Sequence, residues 1–130
     1  MKTTKDDFKN FKHAFVFFVK LFGCDRSYEW GFELKRLKES LAEIQFDDNS
    51  HTAVVRLAST VKKSVAQDSN VVKTALHEAI HVLTHRLERA ADARYIAEEC
   101  VSASEEELVM HLEAILWPLL QDKVHEDLKF

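Results

Sequence analysis

The segment Thr74-Ala-Leu-His-Glu-Ala-Ile-His81 places two imidazoles one helical turn apart, with a carboxylate between them. Residues at i and i+4 lie on the same face of a helix, so nitrogens of His77 and His81 can both reach a single metal ion. Glu78 is rotated away from that face, which makes it a poor third ligand but allows it to face a water bound to the metal. The spacing therefore predicts a zinc site with Glu78 beside it.

The residues around this segment predict a helix over 71–87. Apolar side chains recur there at three- and four-residue steps, and neither Gly nor Pro occurs between Asn49 and Trp117. The polar run 67–70 precedes the helix, and its Ser or Asn is expected to cap the first turn. The alternative is that a His-x-x-x-His spacing arises by coincidence in a chain with seven histidines. The intervening glutamate and the apolar stripe beside the histidines argue against coincidence.

Length and composition indicate a single domain over residues 1–130. A hydrophobic content of 46% with nine Phe and two Trp is sufficient for one core. The net charge of −4 arises from 18 basic and 22 acidic residues spread along the chain, so no basic block favours nucleic acid as a partner. Cys24 and Cys100 form no Cys-x-x-Cys pair, and we expect a reducing compartment, the cytoplasm.

The predicted fold class is α+β, with an N-terminal helix, a small antiparallel sheet and two further helices. An amphipathic helix is expected over 7–22, because its phenylalanines step by three and four residues. They are Phe8, Phe11, Phe15, Phe18 and Phe22. The apolar run 14–22 contains Lys20 and is too short to span a membrane, so this face is expected in the core.

The middle of the chain predicts strands. Apolar and polar residues alternate over 42–46 and over 53–57, and the turn-forming residues of 47–50 separate them, which indicates a β-hairpin. Alternation over 30–34 indicates another strand, although the leucines at 34, 37 and 41 fit a helix equally well.

A last helix is predicted over 104–119, ended or kinked by Pro118. Its expected apolar side consists of Leu108, Val109, Leu112, Ile115, Leu116 and Leu119. His111 on this helix is a candidate to stabilise an oxyanion, with a solvated or core-edge histidine as the stronger alternative. Glu98 and Glu99 are expected to be solvated charges.

The third metal ligand is expected from the acidic start of that helix, since a catalytic zinc usually has three protein ligands and leaves the fourth position to water. Glu107 matches a capping box with Ser104. Glu106 falls on the flank of the apolar stripe and is the preferred ligand, with Glu105, nearer the middle of the stripe, as the second choice. Alternatively, all three carboxylates only stabilise the positive end of the helix dipole.

His85 is not expected to be a ligand. Four helical residues carry it about 6 Å beyond His81, so binding the same ion as His77 would be strained. It is expected beside the site or exposed to solvent.

The motif His77-Glu78-Ala-Ile-His81 resembles that of the zincin metallopeptidases. The predicted order of elements along the chain, which is helix, strands and hairpin, metal helix, acidic helix, resembles theirs as well. It is similar to the minimal zincin-like domains of the small bacterial and phage SprT-like and ImmA/IrrE-like groups. The similarity covers most of the chain, but only the motif is specific. No Gly-His third-ligand motif follows the helix and no Met-turn is present, so the resemblance is at the level of the superfamily.

The resemblance implies that His77 and His81 bind Zn²⁺, that Glu78 is the general base, and that an acidic residue of 105–107 completes a gluzincin-type site. It implies a metallopeptidase that aligns an extended peptide or protein substrate on an edge strand. Two alternatives belong to other classes: a zincin-shaped module that binds a protein partner without cleaving it, and a helical adaptor whose two histidines are ordinary surface residues.

Overall fold

The computed structural model describes residues 2–60, 70–92 and 98–128. Its elements in chain order are α1 (Lys5–Leu21), β1 (Glu29–Lys35), β2 (Ala42–Asp47), β3 (Thr52–Ala58), α2 (Val71–Asp92) and α3 (Glu98–Leu128). These ranges form three helices and a three-stranded sheet, which confirms the α+β class. None of the described helices combines the length and the apolarity needed to cross a bilayer.

Helix α1 begins with a capping box. The Thr4 hydroxyl accepts a hydrogen bond from the Asp7 backbone N–H, and the Asp7 carboxylate accepts one from the Thr4 backbone N–H. Phe11, Phe15 and Phe18 have no exposed surface, while the other two phenylalanines of the predicted stripe are partly buried. The core face predicted for this helix is therefore confirmed.

The sheet has the order β1-β3-β2, with β3 in the centre. Strands β2 and β3 form the predicted hairpin and pair antiparallel, from Ala42 opposite Leu57 to Asp47 opposite Thr52. The Asp47 carboxylate accepts hydrogen bonds from two backbone N–H groups of the turn, and His51 closes it with a left-handed φ of 53°.

The predicted antiparallel pairing is confirmed for the hairpin of β2 and β3, but the sheet is mixed, because β1 pairs with β3 in parallel. Strand β3 contains the most buried residues of the three strands and takes the central position, so it separates β1 from β2. Alternation of apolar residues is the same in a parallel and an antiparallel strand. It therefore predicts the strands without their directions.

Helix α2 lies at the centre of the structure. It packs against α1 on one side and against α3 on another, and β2 runs beside it. The core contains Val55 and Leu57 of β3, the phenylalanines of α1, and Leu76 and Ile80 of α2. This packing leaves a flank of α2 facing both α3 and the edge strand β2.

Helix α3 differs from its prediction at both ends. It begins at Glu98, so Ser104 lies inside the helix and the capping box with Glu107 is wrong. It continues through Pro118 to Leu128, so Pro118 does not end it. Residues 98–103 include two Glu and one Ala and no Gly or Pro, so the helix extends further towards the N-terminus than the cap signal indicates.

The apolar side of α3 is also narrower than predicted. Val109 is fully buried, and Leu112 and Leu116 pack against the core. In contrast, Leu108, Ile115 and Leu119 are 40%, 61% and 72% exposed. The core-facing side continues instead to Val124, which is almost completely buried.

Candidate metal centre

Asn70 starts the helix that carries the two histidines. Its side-chain Oδ1 accepts hydrogen bonds from the backbone N–H groups of Val72 at 3.0 Å and Lys73 at 3.3 Å. This is the N-cap predicted for the polar run 67–70, whose other residues lie outside the described ranges. The cap fixes the phase of α2, so that Leu76 and Ile80 enter the core and the histidines lie on its flank.

One carboxylate of α3 contacts both histidines. Glu106 Oε1 lies 2.8 Å from Nε2 of His77, and its Oε2 lies 2.9 Å from Nε2 of His81. The two rings stand with their centroids 5.0 Å apart. The ligand atoms of His77, Glu78 and His81 lie within 4.8 Å of one another, and so do those of His81, Glu105 and Glu106, so the cluster contains two groups that could hold a metal ion. The structure brings together the three residues that the sequence predicts as ligands.

The opposite nitrogen of each ring is hydrogen-bonded to a second carboxylate. Nδ1 of His77 lies 2.7 Å from Glu113 Oε2, and Nδ1 of His81 lies 2.7 Å from Glu105 Oε1. The Thr84 hydroxyl also donates to Glu105. An Nδ1–H that donates to a carboxylate leaves Nε2 with the lone pair that a metal needs. Both rings are therefore oriented to present Nε2 towards Glu106.

These contacts give Glu105 and Glu113 roles that the sequence does not indicate. Glu105, the second choice for a ligand, is bonded to Nδ1 of His81, and with His81 and Glu106 it forms a group whose ligand atoms lie within 4.8 Å of one another. Glu113 was not predicted at all. It follows Glu106 by seven residues, which is two helical turns, so the two share a face of α3. The seven-residue spacing from Glu106 is the sequence signal that could have identified Glu113.

Glu78 is buried beside the two histidines. Only 5% of the residue is exposed, and its carboxylate lies with the imidazole nitrogens in a group whose ligand atoms are all within 4.8 Å of one another. Burial raises the pKa of Glu78 to about 7, although the positive charges of His81 and His77 oppose the shift. A carboxyl with a pKa near neutrality can both accept and return a proton.

The carboxylates around the histidines outweigh the effect of burial on the imidazoles. Burial lowers the pKa of His77, but the hydrogen bond to Glu113 and the charges of Glu78, Glu106 and Glu113 raise it to about 9. The pKa of His81 is raised for similar reasons, with Glu105 as its hydrogen-bond partner. The cluster thus has a negative potential that favours positive charge, whether protons or a metal cation.

A cavity of about 760 Å³ opens next to this cluster. One wall is β2, including Ala42, Ile44 and Phe46, and the other walls come from α2 and α3. Because β2 is an edge strand of the sheet, its outer side is not paired with another described strand. The cavity therefore borders a strand edge that an extended chain could join.

The other predicted histidines are not part of the cluster. His85 stacks on Phe46 and lies 3.1 Å from an oxygen of Asp48, so it is neither a ligand nor the exposed residue that was one expectation. The His111 side chain is 71% exposed, and its nearest carboxylate is Glu107 at 3.6 Å. His111 does not line the cavity, and the oxyanion role considered for it is wrong.

Two further predictions fall where the structure does not describe side chains. These concern the solvation of Glu98 and Glu99 and the state of Cys100. Cys24 is partly buried, and burial raises the pKa of its thiol, which disfavours the thiolate that a metal would require.

Comparison of the chain with models of known protein families, with curated proteins and with solved structures finds no significant match in any of the three. The resemblance to zincins therefore depends on the His77-Glu78-Ala-Ile-His81 motif and remains a prediction.

Proposed function

We propose that this protein is a zinc-dependent hydrolase, and specifically a metallopeptidase. One observation carries the proposal: Glu106 contacts Nε2 of His77 through one carboxylate oxygen and Nε2 of His81 through the other, beside the buried carboxyl of Glu78, which forms with both histidines a group that could hold a metal ion. The adjacent cavity supports it, because a peptide could reach these groups along an edge strand.

The donor set fits zinc. Two imidazole nitrogens and one carboxylate oxygen are a common ligand set for a catalytic zinc site, and the pairing of each Nδ1 with a carboxylate is typical of metal-binding histidines. His77, His81 and Glu106 would hold the ion. A bound zinc ion supplies a Lewis acid and lowers the pKa of a coordinated water towards ~7.

Glu78 is assigned as the general base. Its carboxylate accepts a proton from the attacking water and delivers it to the leaving amine. Burial, which raises the pKa of Glu78 in the metal-free protein, favours holding the proton between the two transfers. Glu113 and Glu105 hold the imidazoles in the tautomer that faces the metal. Strand β2 offers its main-chain N–H and C=O groups to an extended substrate.

A second candidate is a protein-binding module that does not cleave its partner. The ion-pair contacts of Glu106 with both histidines favour it, since they allow the cluster to close on itself as a structural network. The small size of the chain also leaves a limited surface for selecting a substrate.

Metal analysis and turnover together test the proposal. Purified without chelator, the wild type should contain about one equivalent of zinc, and His77→Ala and Glu106→Ala less than about a tenth. Glu78→Gln should retain the metal and lose activity on a peptide library by on the order of 10²-fold or more. Glu107→Gln, at an exposed position of the same helix, is the control and should match the wild type.

The possible results distinguish the candidates. A fully active Glu78→Gln variant contradicts the role of Glu78. Full metal content without cleavage of any peptide, together with a tightly bound partner, identifies the binding module. Less than about a tenth of an equivalent of zinc in the wild type contradicts the metal site itself.

A further inference from the structure

Four side chains from three parts of the chain meet where β2 ends, and we name them the hairpin cluster: Tyr28, Phe46, Asp48 and His85. The His85 imidazole lies nearly parallel on the Phe46 ring, with centroids 3.8 Å apart and an interplanar angle of 14°. Its Nε2 is 3.1 Å from Asp48 Oδ2. The Tyr28 hydroxyl donates to the other oxygen of Asp48 at 2.6 Å, and its ring packs against Phe46 at 5.2 Å.

The position of this cluster relates it to the candidate site. His85 lies one helical turn after His81 on α2, and Asp48 belongs to the hairpin turn that follows β2. The hydrogen bond between them joins the helix that carries the histidines to the strand that borders the cavity. Phe46 and His85 both line that cavity. This hydrogen bond is therefore one of the contacts that hold β2 beside the face of α2 that carries the two histidines.

A fold can be stable without this contact, because β2 is already paired with β3 along its whole length. The hydrophobic core of α2 also lies on a different side of the helix from His85. What the contact adds is a fixed separation between an edge strand and the histidine pair. For an enzyme that aligns its substrate on that edge, an error of about 1 Å at the reacting centre can cost up to ~10²-fold in rate.

We propose that Asp48 and His85 are positioning residues, which hold β2 so that an extended peptide paired with it presents a defined bond to the candidate site. This inference rests on the proposed function. The contact between Asp48 and His85 would then determine which bond of a long substrate is cleaved. This contact lies outside the cluster of His77, Glu78, His81 and Glu106. A substrate too short to pair along β2 would not depend on it.

The test compares two substitutions on opposite sides of one carboxylate. Asp48→Asn keeps the shape of the side chain and an oxygen that can accept from Tyr28, but it replaces the charged carboxylate beside Nε2 of His85 by a neutral amide. Tyr28→Phe removes the hydrogen bond to the other oxygen of Asp48 and is the matched control. Each variant is assayed on a peptide of about eight residues, which can pair along β2, and on a blocked dipeptide, which cannot.

Asp48→Asn should lower kcat/KM for the long peptide by on the order of tenfold and produce cleavage at neighbouring bonds. Its zinc content and its dipeptide hydrolysis should match those of the wild type. Tyr28→Phe should match the wild type on both substrates. Equal losses on both substrates, or no loss on either, would overturn the inference.

Hydrogen exchange separates failure of this inference from failure of the proposed function. If the wild type cleaves neither substrate, the hydrolase proposal fails, and the positioning role is judged from amide exchange over 42–47. Asp48→Asn should accelerate exchange there at least several-fold relative to Tyr28→Phe, because it weakens the contact of Asp48 with His85, which is one of the contacts that join the β2 hairpin to α2. Equal exchange in the two variants would overturn the role of Asp48 and His85.

Discussion

Carboxylate oxygens lie beside both nitrogens of each imidazole in the candidate site. The contacts at Nδ1 and the contacts at Nε2 have different effects on metal binding. On the Nδ1 side, Glu113 and Glu105 accept hydrogen bonds and fix the rings. On the Nε2 side, Glu106 faces both rings at once. A divalent cation on the Nε2 side would replace the protons there, while the Nδ1 hydrogen bonds remain and increase the basicity of the ligands.

Glu113→Gln should therefore weaken zinc binding by about 10- to 100-fold without removing a ligand. The amide is neutral and accepts a weaker hydrogen bond from Nδ1–H of His77, so the ring is less well oriented and less basic. Competition with a chromophoric chelator measures the change. Glu107→Gln is the control, since its carboxylate is 75% exposed and has no contact with His77. An unchanged affinity for Glu113→Gln would contradict the orienting role.

The pKa of His77 predicts how the stability of the metal-free protein depends on pH. Its folded-state pKa is raised from 6.5 to about 9, because the carboxylates around it outweigh burial. A raised pKa stabilises the folded state fully below pH 6.5, and this contribution is lost as pH rises towards 9. Urea unfolding of chelator-treated protein should therefore give a lower free energy of unfolding at pH 9 than at pH 6.5.

His77→Gln provides the comparison for that measurement, since glutamine does not titrate in this range. The variant should show a smaller fall in the free energy of unfolding between pH 6.5 and 9 than the wild type. Equal falls in the two proteins would show that His77 does not carry the dependence.

At the scale of single elements, α2 could be predicted and α3 only in part. The start of α2 is encoded by nearby residues. The Asn70 side chain accepts hydrogen bonds from two N–H groups within three residues, and apolar residues at three- and four-residue spacing follow directly. For α3, a cap signal at Ser104 competes with helix-forming residues before it, and the longer helix results. The direction of β1 depends on which strand takes the centre of the sheet, and no residue of β1 encodes that.

The cap of α2 predicts a measurable contribution to stability. Asn70→Ala should lower the free energy of unfolding by about 1 kcal/mol, because two N–H groups of the first turn lose their acceptor. Asn70→Asp should retain most of the stability, since a carboxylate caps equally well and interacts favourably with the helix dipole. Denaturant unfolding of both variants measures the difference. Equal destabilisation by the two substitutions would contradict a capping role.

At the scale of the whole molecule, the site joins residues that are close in sequence to others that only packing brings near. His77 and His81 are four residues apart, so helix geometry alone pairs them. Glu106 reaches them because α2 and α3 pack together, and the rotation of α3 determines that Glu106, rather than Glu105, faces both Nε2 atoms. The spacing of apolar residues in α3 predicts the rotation of this helix approximately. That is sufficient to favour Glu106 as a ligand but not to identify Glu113.

A metal bound between α2 and α3 should stabilise the whole fold, since its ligands come from both helices. At a free zinc concentration of 100 times Kd, binding to the folded state alone adds about 2.7 kcal/mol. For a domain of this size, each kcal/mol shifts Tm by a few degrees, so chelation should lower Tm by about 10 °C. Added zinc should restore the wild-type Tm, whereas magnesium should not, because it prefers an all-oxygen octahedral site. His77→Ala should show no shift with either ion. A wild-type Tm that is identical with and without chelator would mean that no metal links these helices.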